Sequence, residues 1–155
     1  MNKIALMVVV AFSACWALPT LAGHHKVADI LVDMPYVRAL VPGQTMTAAF
    51  FRVANNGAQN CVLTAATSAY AEKIEFHTHQ YMDGMMKMRP VEAVELPAGS
   101  SQAFKPGGLH LMLFGVKQGD NASAEITLIT DKCGELSFLA PIKSIKSMPA
   151  EAMHH

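Results

Sequence analysis

The residues best equipped for chemistry in this chain are its sulfides and imidazoles. Eleven Met and seven His stand among 155 residues, more than a small sandwich or bundle needs for packing. They are also grouped. His77 and His79 form an H-x-H pair, Met82, Met85, Met86 and Met88 follow closely, and His110 and Met112 form an H-x-M pair. A thioether is a soft, uncharged donor that suits Cu(I), whereas imidazole suits copper and zinc alike. Two of each favour Cu(I) over Zn(II), which prefers thiolate, imidazole and carboxylate. Neutral donors leave such a site with only the ion's own charge, and a thioether has no proton to lose, so protons compete only at the His. Read singly, each of these residues is a surface His or a Met that fills a core or makes a sticky patch. The joint pattern points to a metal.

Distant stretches can share an ion only if the fold brings them together. The residues after the N-terminal segment show no helix-period stretch longer than two turns. Short apolar runs alternate with turn residues every 8–12 positions, which predicts a β-sandwich or barrel. Strands are expected over 27–33, 35–40, 45–54, 61–67, 72–79, 86–95, 109–115, 123–130 and 135–142. Pro42-Gly43, Asn55-Asn56-Gly57, Asp83-Gly84, Pro97-Ala98-Gly99, Pro106-Gly107-Gly108, Gly119-Asp120 and Cys133-Gly134 punctuate them. Asp83-Gly84 is a tight-turn signal. Along a strand, side chains alternate between faces. Ile74, Phe76 and Thr78 therefore share one face, and Glu75, His77 and His79 the other. Leu109, Leu111 and Leu113 oppose His110, Met112 and Phe114 in the same way, and Met86 lies with Met88. The Ile and Leu faces must be core, so His77, His79, His110 and Met112 are expected to point away from it. Same-face neighbours stand about 6.5–7 Å apart. Two such pairs on adjacent strands, with a hairpin Met, can therefore converge on one ion. The ligand set expected on this ground is His77, Met88, His110 and Met112.

Composition narrows the function further. With 52% hydrophobic and 15% charged residues, the chain is not disordered. Twelve Lys+Arg balance 12 Asp+Glu and no basic stripe is visible, which argues against nucleic acid. Lys3, the apolar run Ile4–Trp16, Pro19 and the small residues Thr20-Leu21-Ala22 read as a secretory signal cleaved after Ala22. The run is too short for a membrane span. Phe12-Ser13-Ala14-Cys15 offers a lipoprotein alternative anchored at Cys15, although Phe12 suits that box poorly and the apolar run continues past Cys15. We expect a signal peptide over 1–22, one β-sandwich domain over 23–147 and a Met/His tail over 148–155, with no membrane insertion once the signal is removed. In an exported chain, Cys61 and Cys133 are expected to form a disulfide, with two separate buried thiols as the alternative.

His77, ten residues, Met88, 21 residues and His110-Leu111-Met112 resemble the H-x10-M-x21-H-x-M signature of the periplasmic copper chaperones of the PCu(A)C type. Pro35-Tyr36-Val37-Arg38, Ala48-Ala49-Phe50, Met85-Met86-Lys87-Met88-Arg89-Pro90-Val91 and Pro106-Gly107-Gly108-Leu109-His110-Leu111-Met112-Leu113 fit the same family, over about residues 27–142. The resemblance implies an all-β, cupredoxin-like Greek-key β-sandwich that binds Cu(I) near its surface. It also implies a periplasmic non-enzyme that delivers copper to apo-proteins, notably the copper site of cytochrome c oxidase subunit II, alongside a Sco-type thiol protein. The ligands carry over to His77, Met88, His110 and Met112. Many members read H-x-M at the first position, where this chain has His79. His79 could thus join or replace a ligand or add Cu(II) affinity, and Met86 is a further candidate.

Other readings are weaker. A blue-copper centre needs a thiolate with a His soon after it on the same loop, and the next His after Cys133 is His154. No Ser-His-Asp order, phosphate loop or H-E-x-x-H motif supports an enzyme. A copper storage or resistance protein, and a metal-free interaction module with Met82, Met85 and Met86 as its contact patch, remain as alternatives. His24, His25, Met153, His154 and His155 could form a secondary Cu(II) site or be solvated tails.

Overall fold

A computed structural model describes residues 29–144 apart from 83, 118 and 120. The expected signal segment, the 148–155 tail, and His24, His25, Met153, His154 and His155 lie outside the described residues. Among the described residues ten strands form: β1 (Ile30–Arg38), β2 (Met46–Asn55), β3 (Cys61–Thr67), β4 (Lys73–Met82), β5 (Met85–Val91), β6 (Val94–Leu96), β7 (Ser101–Phe104), β8 (His110–Phe114), β9 (Ser123–Thr130) and β10 (Glu135–Lys143). Among the described residues no helix is long and apolar enough to cross a membrane.

The strands run in the order β5-β4-β8-β2-β1-β10-β9-β3-β6, with β7 also paired to β2. One half carries β5, β4, β8, β2 and β1, and the other β10, β9, β3 and β6. They are joined where β1 pairs in parallel with β10 at Val37–Ile142 and Arg38–Lys143. The connections β2 to β3, β3 to β4, β5 to β6, β6 to β7 and β8 to β9 cross from one half to the other. Period-2 alternation supplies the core. Leu111, Leu113 and Val53 from one half and Leu63, Leu96, Ile126 and Leu128 from the other are fully buried. Burying each leucine contributes about 1.5–3 kcal/mol. Phe51 stacks on Phe104 at 4.3 Å between ring centres.

Three expected elements differ from the observed ones. The stretch 86–95 is two strands, because β5 pairs with β4 while β6 pairs with β3 at the opposite end of the strand order. Strand β7 fell in expected loop, since its first residues are polar and it is only four residues long. The stretches 27–33 and 35–40 belong to one strand, β1, whose register against β2 shifts between Asp33 and Tyr36. Pro35 cannot donate to the ladder, and Met34 takes a left-handed φ of 48°. This bulge reverses the strand's phase. Ile30 is buried before it and Val37 after it, so Tyr36 and Arg38 turn to the outer face.

The expected disulfide is present. Cys61 opens β3 and Cys133 lies in the β9–β10 turn, with Cα atoms 5.9 Å apart. Because β3 also pairs with β9, the bond closes the end of a strand pair in the half away from the His- and Met-bearing strands.

Candidate metal centre

Residues directly opposite in an antiparallel ladder project to the same side. His77 pairs with His110 and Glu75 with Met112 between β4 and β8. His79 pairs with Met88 and Tyr81 with Met86 between β4 and β5. Ala48 pairs with Met112 between β2 and β8, and Tyr36 with Phe50 between β1 and β2. His77, His79, Met86, Met88, His110 and Met112 therefore share one face, opposite Phe76, Leu111 and Leu113 in the core. The β4–β5 hairpin that brings Met88 to His79 closes at Met82–Met85 around Gly84, whose φ of 77° suits a tight turn.

One expectation needs correction. His110 does turn away from the leucine core, but it is not on open surface: only 2% of it is exposed. The ring of Phe50 lies 6.2 Å away and that of His79 5.3 Å away, and the 105–109 loop folds back on itself through Lys105 and Leu109. The outer face is a covered cleft at this point. Met112 is half-buried, while Met88 and Met86 are exposed.

Each paired imidazole has one nitrogen tied and one free. His110 Nδ1 donates to the Gly108 carbonyl at 2.9 Å, which leaves the Nε2 lone pair available. Burial above all pushes the His110 pKa below its ordinary value, against the pull of that bond, so the ring stays neutral as a metal ligand must. His77 uses the other nitrogen. Its Nε2 lies 2.8 Å from Glu75 Oε2. A carboxylate only accepts, and the bond from His77, with Lys73 beside it, holds the Glu75 carboxyl below its ordinary range. Lys73 Nζ reaches the second Glu75 oxygen at 2.9 Å. The proton thus sits on His77 Nε2, and Nδ1, buried with no hydrogen-bond partner, carries the lone pair. An imidazole fixed by a carboxylate behind it is a recurrent metal-site device. The third ring, His79, has Nδ1 3.5 Å from the Gly108 oxygen, at the outer limit of a hydrogen bond.

A cleft of about 550 Å³ opens on this face, and Arg38, Phe50, His79, Met88, His110 and Met112 are among its lining residues. The structure thus gathers three of the four expected ligands in one cleft. His77 lies outside that lining, its ring 6.1 Å from His110, while His79 takes part in it. Among the described residues no three His, Cys, Asp or Glu side chains converge closely enough to hold an ion by themselves. The thioethers of Met88 and Met112 are further donors that this cleft offers beside His79 and His110. Sequence reasoning missed Glu75, Arg38 and Phe50. Glu75 had a visible signal, as it precedes His77 by two residues on the same face. Arg38 appeared only within the Pro35-Tyr36-Val37-Arg38 block of the family resemblance, and its direction is set by the β1 bulge, which periodicity does not reveal.

The LpqE-like lipoprotein family model matches residues 30–142. The chain belongs to the LpqE-like family. A relative with a lipoprotein name, Lxx21020 of Leifsonia xyli subsp. xyli (strain CTCB07), is 34% identical over 105 residues, 66% of this chain. The match spans 62% of that relative's length. Among solved structures, the copper-bound PCuAC domain from PmoF2 is similar with a TM-score of 0.64 and 26% identity, over 76% of this chain and 95% of that one. The solution structure of CuI-DR1885 from Deinococcus radiodurans is similar with a TM-score of 0.60 and 26% identity, over 79% and 83%. This LpqE-like chain accordingly has the all-β, cupredoxin-like fold of PCuAC-type domains, as the family resemblance implies.

Proposed function

We propose that this protein is a copper chaperone, which takes up Cu(I) as cargo on the outer face of its sheet and passes it to apo-proteins. One observation carries the reading: His77 and His110 stand opposite each other on adjacent strands, each with one nitrogen tied back and the other free. Met112 and Met88 lie on the same face. The ligand set is His77, Met88, His110 and Met112, with His79 placed to join during loading or release. Weak, neutral thioethers permit transfer by ligand exchange, and the exposure of Met88 gives an acceptor a point of entry. The copper-bound PmoF2 and DR1885 domains support cargo of this kind. The proposed acceptor is the copper site of cytochrome c oxidase subunit II, with a Sco-type thiol protein acting beside it.

The protein is exported in this reading and acts in the periplasm. The lipoprotein names of its family and relative favour Cys15 as a lipid-bearing residue over cleavage after Ala22.

An anaerobic Cu(I) titration with X-ray absorption tests the site. We expect one tightly held Cu(I) with mixed sulfur and nitrogen ligation, and a loss of at least about tenfold in affinity for Met88→Ala and for His110→Ala. Full affinity in both variants would mean that other residues hold the ion.

A further inference from the structure

We propose that Arg38 makes the cleft selective for a monovalent over a divalent ion. The inference rests on the copper reading and adds a residue that no ligand motif includes. The β1 bulge turns Arg38 to the outer face, where its guanidinium lies 5.5 Å from the centre of the Phe50 ring. That ring is in turn 6.2 Å from the ring of His110. Arg38 therefore stands one ring away from an expected ligand, and it lines the same cleft as His79, Met88, His110 and Met112.

The guanidinium has no carboxylate partner among the ion pairs of the described residues, which join Lys73, His77 and Lys132 to carboxylates. Its Nε is buried with no hydrogen-bond acceptor. Among the described residues no Asp or Glu lines the cleft. Glu75, a carboxylate on this face, is held between Lys73 and His77, so the Lys73 charge offsets its own, while Asp33 lies opposite Arg52 further along β1. An unpaired, partly buried cation is a cost to folding, and packing on Phe50 recovers only part of it.

What it supplies is a standing positive potential. With neutral N and S donors, the bound centre keeps the full charge of its ion. Repulsion from a fixed cation grows in proportion to that charge, so a divalent ion meets twice the penalty of a monovalent one. Among divalent first-row ions Cu(II) binds nitrogen and sulfur donors most tightly, and ligand type alone does not reject it. A positive charge with no carboxylate to balance it does. The same field reaches His110, whose basicity is lowered mainly by burial and to a lesser degree by the neighbouring His rings and Arg38.

The test compares the full chain with Arg38→Met, Arg38→Gln and Arg38→Lys, each checked for folding by circular dichroism. Cu(I) affinity is measured by anaerobic competition with a chromophoric chelator, and Cu(II) and Zn(II) affinities by calorimetry. The terminal histidines are common to all four proteins, so the change in the ratio of affinities is the readout. Both neutral variants should gain about tenfold in Cu(II) and Zn(II) affinity relative to Cu(I), on the order expected for one partly screened unit charge. Arg38→Lys should keep the wild-type ratio. An unchanged ratio in whichever neutral variant folds overturns the proposal. So does an Arg38→Lys protein that shifts as far as Arg38→Met, since packing rather than charge would then be responsible. A wild-type chain that fails to bind Cu(I) defeats the copper reading itself, a separate result.

Discussion

At the scale of single residues, the site is a matter of which nitrogen is left free. His77 and His110 use opposite ring nitrogens for their structural bonds, one to the Glu75 carboxylate and one to the Gly108 carbonyl. The positions of the His and Met residues were legible in the sequence, because period-2 alternation and fixed spacing survive any reasonable choice of strand ends. The burial of His110 was not, since it depends on Phe50, His79 and a loop far apart in sequence. Glu75 leads to a prediction. Glu75→Ala should release His77 Nε2, mix its tautomers in the apo-protein as seen by 15N NMR, and lower Cu(I) affinity about 10–100-fold. Glu75→Gln keeps an acceptor oxygen and should restore most of both. An unchanged tautomer in Glu75→Ala would reduce Glu75 to a surface partner of Lys73.

At the scale of elements, two devices could not be read from periodicity. The β1 bulge inverts inside and outside halfway along a strand, and a simple alternation cannot anticipate that. The split of 86–95 into β5 and β6 follows from tertiary pairing rather than from local composition. By contrast, β3 and β9 match their expected limits, being bounded by turn residues. They are also the strands secured by Cys61–Cys133, a bond that encloses a sequence separation of 72 residues. Cys61→Ala with Cys133→Ala should lower the unfolding free energy by about 2–5 kcal/mol in urea melts. Cu(I) affinity of the folded fraction should not change, because the bond lies in the half that carries no candidate ligand. A parallel fall in affinity would show that the two halves are coupled.

At the scale of the molecule, the all-β architecture was clear from turn spacing, while the joining of two halves through a parallel β1–β10 pair was not. That pairing needs the first and last strands to meet, and no local signal records it. Whether the exported chain carries a lipid anchor is a question for its N-terminus. If Cys15 carries lipid, mass spectrometry of the membrane fraction should find a mature chain that begins there with a diacylglyceryl addition. A chain that begins at Gly23 in the soluble fraction would restore simple cleavage after Ala22.

The molecule also divides its sulfur into two pools. The thiols at Cys61 and Cys133 are already joined to each other, so a mild oxidant finds no free thiol among the described residues. The thioether of Met88 stands open, with 44% of the residue exposed, and conversion to a sulfoxide would replace a soft donor with a hard oxygen. Oxidation at Met88 would then loosen the proposed copper grip while the disulfide-bonded fold persists, a change that methionine sulfoxide reductases could reverse.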